Sequence, residues 1–293
     1  MYYIELMLNG MMVGALYSLV ALGFVLIYKA SDVINFAQGD LVMFAAYIVA
    51  ASLQLYGLPL WLAVLLGLGG MIVLGFAIEK LVLQHLIGRP VVAVIMATIG
   101  LASFLQGLAP FFWGVETKNL PLPVPDVPLF LGPILLSPLD LIAAATALLS
   151  IGLIGWFFTK SRTGIALRAI ADDQQVSLAM GIDVKRYFAI SWAIAGVVAL
   201  LGAIVWGNAI GVDVHLALVG LKVFPVVILG GLDSIVGAIV GGLIVGVVES
   251  LAAGFIDPYV GGGTKDFTPY VLMVLVLMIR PYGLFGKVDI ERV

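Results

Sequence analysis

An all-α, polytopic helical integral membrane protein is the fold class this sequence predicts, and three observations predict it. Hydrophobic residues make up 63% of the 293 positions and charged residues only 11%, against roughly a quarter charged in ordinary soluble domains. Apolar runs recur along the chain at about 20 residues each, the length a helix needs to cross a hydrocarbon core. The runs are continuously apolar and not alternating, which excludes a transmembrane β-barrel. About eight or nine membrane segments are expected, including one short, broken or re-entrant helix, in a single membrane domain over residues 1–293.

Residues 6–28 form the first predicted span. The Met-Tyr-Tyr-Ile-Glu start lacks the basic n-region of a cleaved signal peptide, so this run is expected to be retained. Gly10 and Gly14 stand one turn apart on one face, a spacing that lets another helix approach closely. Residues 33–53 form the second span and open with the polar cluster Asn35, Gln38 and Asp40. The turn Tyr56-Gly57-Leu58-Pro59 leads into the third, residues 60–83, which ends among Glu79, Lys80, Gln84, His85 and Arg89. Residues 91–113 form the fourth. The pattern breaks over residues 114–137, where prolines at 121, 123, 125, 128 and 133, with Pro138 next, rule out a continuous helix. That stretch is read as an extended external loop.

Residues 138–158 are the fifth span, and residues 160–186 follow as the one long passage too polar for lipid. It holds five of the fourteen Lys and Arg residues. Residues 187–210 are the sixth span. Residues 218–229 are too short to cross comfortably and contain Lys222 and Pro225, so a broken or re-entrant helix is expected. Residues 234–256 are Gly-rich, with Gly237/Gly241 and Gly242/Gly246 as two GxxxG pairs for close helix packing. A Gly-rich turn over residues 257–266 then leads into residues 267–279, Arg280-Pro281 and the tail.

Charge parity orients the chain. With residues 160–186 in the cytoplasm and the short segment counted as a crossing, Lys29, Lys80, Arg89, Lys160, Arg162, Arg168, Lys185, Arg186, Arg280, Lys287 and Arg292 all fall inside. Lys118 and Lys265 fall outside, and Lys222 lies in the membrane. This asymmetry is what the positive-inside rule demands, and it puts the N-terminus outside and the C-terminus in the cytoplasm.

Helix punctuation divides the polar passage. Residues 163–171 have helical composition, Asp172 or Asp173 can cap a second short helix, and Gln175 follows Asp172 at capping-box spacing. Gly181 suits the position after a helix end at Met180. Ile165, Ala169, Val176 and Ala179 would give the pair small and apolar faces suited to a groove on another protein; a solvated connector at the lipid surface is the plainer alternative. Within the spans, Asn35, Gln38, Asp40, Lys222 and Glu249 are candidates for a translocation path, since polar groups there are costly and face a cavity or one another. Lys222 is expected to pair with Glu249 or to meet a carboxylate. A structural ion pair and a helix-capping role for Asp40 stand as equally open readings.

Several classes are excluded. There are no cysteines and only two histidines, His85 and His215, so thiolate and His-cluster metal sites are not expected. No Walker A loop, HExxH helix or GxSxG elbow occurs, so the chain is read as no enzyme and as carrying no nucleotide or other cofactor of its own. Basic residues are too sparse for nucleic acid, and the net charge of −3 decides nothing.

Over nearly its whole length the chain resembles the LivH type of permease from ABC importers of branched-chain amino acids. The residues that carry the resemblance are Ile34-Asn-Phe-Ala-Gln-Gly-Asp40, Ser161-Arg-Thr-Gly164 leading into Arg168-Ala-Ile-Ala-Asp-Asp173, and Gly181-Ile182. Lys222-Val-Phe224, Leu229-Gly-Gly-Leu-Asp-Ser-Ile235 and Pro281-Tyr-Gly-Leu-Phe-Gly286 complete it. The resemblance implies a multi-pass subunit of the bacterial plasma (inner) membrane that works with a second, LivM-like permease, two cytoplasmic ATPase subunits that use ATP, and an extracytoplasmic binding protein that supplies amino acid. It further implies that Arg162, Gly164, Arg168, Ala169, Ala171, Asp172, Asp173 and Gly181 belong to the element that couples to the ATPase. Gln38 stands where His is common in that pattern, Asp40 and Asp172 where Glu is common, and Asp233 where Gly is common. Related importers of urea or short amides, and an ion-coupled transporter built on Lys222, Glu249 and Asp40, are the competing readings.

Overall fold

The computed structural model describes residues 2–86, 89–123, 129–131 and 134–286. The expected prolines 125, 128 and 133 of the external loop, and the basic residues Lys287 and Arg292, lie outside the described residues. In chain order the helices are α1 (Tyr2–Ser31), α2 (Gln38–Gln54), α3 (Leu60–Leu81), α4 (Val91–Trp113), α5 (Pro138–Lys160), α6 (Arg162–Asp172), α7 (Gln174–Ala179), α8 (Val184–Ile210), α9 (Leu218–Gly230), α10 (Ile235–Val260) and α11 (Thr264–Ile279). Six of them, α1, α3, α4, α5, α8 and α10, are long and apolar enough to cross a membrane. The all-helical reading needs one small addition: β1 (Leu129–Leu131) and β2 (Ile134–Leu136) pair antiparallel within the loop between α4 and α5. The first part of that loop is extended as expected, and Lys118 and Val212 exchange backbone hydrogen bonds of 2.9 and 2.8 Å.

The helices form two compact units, one from Met1–Val25, Pro123–Leu149 and Lys222–Val293, the other from Leu26–Leu122 and Ser150–Leu221. In the first unit α1 and α10 run antiparallel in backbone contact. A Cβ on Gly10 would lie 2.7 Å from the Gly246 carbonyl oxygen, and one on Gly14 would lie 2.6 Å from that of Gly242. The other GxxxG pair faces elsewhere: Gly237 meets Gly230, and a Cβ on Gly241 would lie 2.7 Å from the Val226 oxygen of α9. One Gly-rich helix therefore packs closely against two neighbours through two separate pairs. Without a hydrophobic drive in lipid, such contact gains its energy from dispersion and requires small residues. Ser18 Oγ adds a hydrogen bond of 3.1 Å to the Ile239 oxygen, and Ser250 Oγ one of 2.8 Å to the Leu6 oxygen.

The C-terminal carbonyls of α9 are closed by the tail. Leu284 N–H donates to the Leu229 oxygen at 2.8 Å and Phe285 N–H to the Gly230 oxygen at 3.0 Å. These are groups a helix end leaves orphaned. Gly283 and Gly286, the latter against Gly231, let the two backbones meet. Two of the segments that carry the sequence resemblance, 229–235 and 281–286, are thus one contact.

In the second unit α2 is the buried element. It is apolar on all sides, and such a helix belongs inside protein; every residue from Gln38 to Tyr47 is buried. It packs with α3, α4 and α8, and Trp113 at the end of α4 stacks on Tyr47 with ring centroids 5.8 Å apart. The start of α2 corrects the sequence reading by five residues. Val33 and Ile34 continue the apolar pattern, yet the backbone from Asp32, whose φ is 53°, to Ala37 is not helical.

Replacing Gly14 with Leu is expected to lower the stability of the detergent-solubilised protein by about 1–3 kcal/mol, the range of overpacking in a tight core. Gly69→Leu, where a Cβ would meet nothing within 4 Å, should unfold like the parent. Thermal unfolding of the two variants side by side checks this.

Candidate functional site

The polar passage folds into a helical hairpin held by its own caps. Ser161 caps α6, its Oγ accepting from Gly164 N–H at 2.9 Å. Asp173, rather than Asp172, caps α7 and accepts from Val176 N–H at 2.9 Å. The capping box expected from Asp172 and Gln175 is therefore not the one used: Asp173 has extended backbone and Asp172 is the last residue of α6. Gly181 takes a φ of 82° just past α7, where its N–H and that of Ile182 donate to the Leu178 and Ser177 carbonyls. That is the left-handed turn the sequence suggested.

One side of the hairpin is anchored and the other is bare. Leu167 and Ile170 are buried. Gly164 sits against the backbone of Phe157 and Phe158, where a Cβ would have no room. Arg168 Nη2 donates to the Thr159 oxygen at 3.3 Å. Ile165, Val176 and Leu178 are instead exposed, and Met180 is 78% exposed. Arg162, Asp172, Asp173 and Ala179 are also exposed, while Ala169 and Ala171 are half-buried. Exposed apolar side chains are present on the hairpin, Leu178 and Met180 among them besides those singled out from sequence, with Val176 and Leu178, two residues apart on α7, on different sides of it.

The candidate path residues fall into two groups. In the second unit Asn35, Gln38 and Asp40 are buried where α1 has ended and α2 begins. Asn35 Oδ1 accepts from Ala37 N–H at 3.0 Å, and Asn35 Nδ2 donates to Gln38 Oε1 at 3.4 Å. Phe36 N–H donates to Thr98 Oγ1 at 3.4 Å. Asp40 does not cap α2, whose first turn follows Ala37 without a side-chain cap. Its Oδ1 accepts from Gln106 Nε2 at 2.8 Å. Asp40 is buried in the first turn of α2 while Gln106 is exposed on α4, so an exposed amide reaches in to a buried carboxylate. Gln38 Nε2 has no partner among the described residues. A polar seam of Asn35, Gln38, Asp40, Thr98 and Gln106 results. Gln106 was legible as the one amide in the 23-residue apolar run of α4, though nothing pointed it at Asp40.

In the first unit Lys222 pairs with Asp266, Nζ to Oδ1 at 2.7 Å, and not with Glu249. Asp266 is 73% exposed on this chain, so the pair lies at the surface of the unit and not in its core. Glu249 is buried and accepts from Tyr17 O–H at 3.2 Å through Oε1, while Oε2 has no partner among the described residues. Tyr17 and Asp266 were not singled out from sequence; Tyr17 follows Gly14 on the helix that Gly242 and Gly246 draw close. Among the described residues no group of three or more His, Cys, Asp or Glu is placed to hold a metal ion.

Comparison with known proteins places these features in a family. The model of the family described as "Branched-chain amino acid transport system / permease component" matches residues 6–279. The chain is 29% identical to the high-affinity branched-chain amino acid transport system permease protein LivH of Escherichia coli (strain K12), over 100% of this chain and 98% of that protein. It is 30% identical to the corresponding permease protein BraD of Pseudomonas aeruginosa, again over 100% and 98%. Similarity to the probable branched-chain amino acid transport permease protein LivH of Methanocaldococcus jannaschii is 30% over 92% of this chain and 88% of that one. Among solved structures, PsaBC from Streptococcus pneumoniae in complex with Fab shares the fold with a TM-score of 0.51 at 16% identity, over 94% of this chain and 91% of that one.

Gln106→Leu is expected to lower stability by about 1–3 kcal/mol by leaving the Asp40 carboxylate without its donor. Asp40→Asn, which keeps an acceptor facing Gln106, should unfold close to the parent. Equal unfolding temperatures for Gln106→Leu and the parent protein in detergent would show that the seam carries no structural load.

Proposed function

This chain belongs to the permease components of branched-chain amino acid transport systems, and on that premise we propose that it is the membrane-spanning subunit of an ATP-driven importer of branched-chain amino acids. The observation that carries the reading is the α6–α7 hairpin, which is anchored beneath by Leu167, Ile170 and Gly164 and apolar above at Ile165, Val176, Leu178 and Met180. The chain has no Walker A loop, so work done on ATP has to arrive through a contact with another subunit. A bare apolar surface on a rigidly held hairpin suits a groove on an ATPase subunit. Because Leu167 and Ile170 are packed into the second unit, displacement of the hairpin is transmitted to helices and not absorbed in a slack loop. Two membrane conformations with different affinity for the ATPase pair would then be exchanged as nucleotide is turned over.

In this reading nine segments lie in the membrane, the six long helices and the shorter α2, α9 and α11. The N-terminus is outside and the C-terminus and hairpin are cytoplasmic. The distribution of Lys and Arg supports that orientation. The outward faces of α3, α4 and α5, largely uncovered by the chain itself, serve lipid and a second permease subunit. Substrate arrives from an extracytoplasmic binding protein and crosses along a path to which the seam of Asn35, Gln38, Asp40 and Gln106 contributes. A seam of three amides around one carboxylate suits a zwitterion, because the amides offer both donors and acceptors and the carboxylate is already met by the Gln106 donor.

Val176→Asp combined with Met180→Asp should abolish co-purification of the ATPase subunits and leucine uptake, while membrane insertion of the permease is unchanged. Neither side chain is buried, and Val176 and Met180 take part in the capping of α7 only through their backbone N–H groups, so the hairpin itself should persist. Undiminished ATPase recovery with the doubly substituted permease would sink the coupling assignment. Uptake of labelled leucine by cells lacking their own branched-chain importers, restored by this chain with its partner genes, tests the substrate.

A further inference from the structure

A cavity in the second unit shares Asn35 and Thr98 with the polar seam and reaches away from its Asp40–Gln106 pair. It has a volume of about 460 Å³ and is bounded by the end of α1, the end of α3, the start of α4, α8 and the α6–α7 junction. That volume falls within the range of small-ligand sites, about 300–1,000 Å³. Glu79 lines it and is only 4% exposed, and its Oε1 has no hydrogen-bond partner among the described residues. A buried carboxylate is costly unless a cation or donor meets it. No ion pair forms at Glu79 among the described residues; Lys185 of α8 and Asp183, which caps that helix, are the charges that act on it from a distance.

The remaining lining carries charges of both signs, Arg89 with Asp32 and Asp173, as a zwitterionic ligand requires. Arg89, exposed, contributes a guanidinium, whose fork suits a carboxylate. Asn35 and Thr98 add neutral polar groups, and Trp192 and Val94 add apolar surface. A buried acid, a guanidinium and an apolar wall together match a free amino acid with an aliphatic side chain, its ammonium on Glu79 and its carboxylate on Arg89. The last wall is Asp173, Gln174 and Gln175, the junction at which α7 is capped. A ligand here would touch the hairpin and the ends of α1 and α3 at once.

We propose that this cavity is a regulatory site for a free aliphatic amino acid, entered from the side of the membrane that carries the α6–α7 hairpin. Occupancy braces the hairpin in one position and slows transport, so accumulated product restrains further import. The ligand achieves this only by binding one conformation better than the other. The regulatory half rests on the reading of the hairpin as the coupling element; the binding half does not.

Calorimetric titration of L-leucine into the purified full-length permease, without ATPase, tests the binding half. Saturable binding is expected, weakened about 30-fold or more by Glu79→Gln, as for loss of one member of a buried charge pair. N-acetyl-leucine, which lacks the ammonium, should not compete. Leucinol, which lacks the carboxylate, should bind weakly and equally to the parent and to Arg89→Gln. Arg89 is exposed, so this second variant keeps the test decisive even where Glu79→Gln fails to accumulate. Absence of saturable leucine binding, equal competition by N-acetyl-leucine, or unchanged leucine affinity in Arg89→Gln would each overturn the site. In liposomes holding the complete transporter, leucine supplied on the hairpin side should slow uptake, and Glu79→Gln should remove that inhibition. Leucine binding without inhibition would overturn regulation alone, whereas ATPase loss in the α7 double variant judges the coupling reading independently.

Discussion

A backbone that leaves the helix at the edge of a buried core must find partners for its amides, because an unpaired buried amide is costly. The chain meets that demand between Asp32 and Ala37. Asn35 folds back onto Ala37, Thr98 of α4 receives the Phe36 amide, and Gln106 holds Asp40 one turn further on. The position of α2, its depth and its register against α4 all follow from satisfying this short break. Once α2 is fixed, α3 and α8 close around it, and the closeness of Gly39 to Ala217 and Gly220 brings the start of α9 against its first turn. A polar interruption of six residues thus orders a core that is otherwise apolar and nearly featureless.

Six of the expected spans were legible in the sequence because each is a continuous apolar run long enough to cross a membrane. Residues 91–113 were bounded correctly to the residue, since Pro90 opens that helix and Gly114 closes it with a φ of 83°. The start of α2 was misjudged for a physical reason. Val33 and Ile34 are as apolar as a span, and only the side-chain bonds of Asn35 and Thr98 show that the backbone there is not helical. The two GxxxG pairs announced close packing but not that they serve different partners. Pairings across long separations, Asp40 with Gln106 and Lys222 with Asp266, were out of reach, because composition marks a residue as needing a partner without saying which. The choice between Asp172 and Asp173 as cap turned on one backbone angle.

The α6–α7 hairpin shows how little is needed to make a rigid element outside the membrane. Two side-chain caps, a glycine pressed against α5 and two buried aliphatic residues hold a segment that has only short helices of its own. Six-residue helices are not stable in isolation. Here the anchoring face supplies what propensity cannot, and the opposite face is left apolar and uncovered. Such a surface is costly for a solvated connector and useful for a docking element.

The tail that closes α9 has a consequence for how the molecule is made. The last carbonyls of α9 wait for the amides of Leu284 and Phe285, among the final residues described. The end of α9 is therefore completed by residues more than fifty positions further along the chain, across the whole of α10 and α11. Until those residues are in place, the two carbonyls they close have no backbone donor, so α9 is a helix whose end is finished by tertiary structure and not by its own sequence.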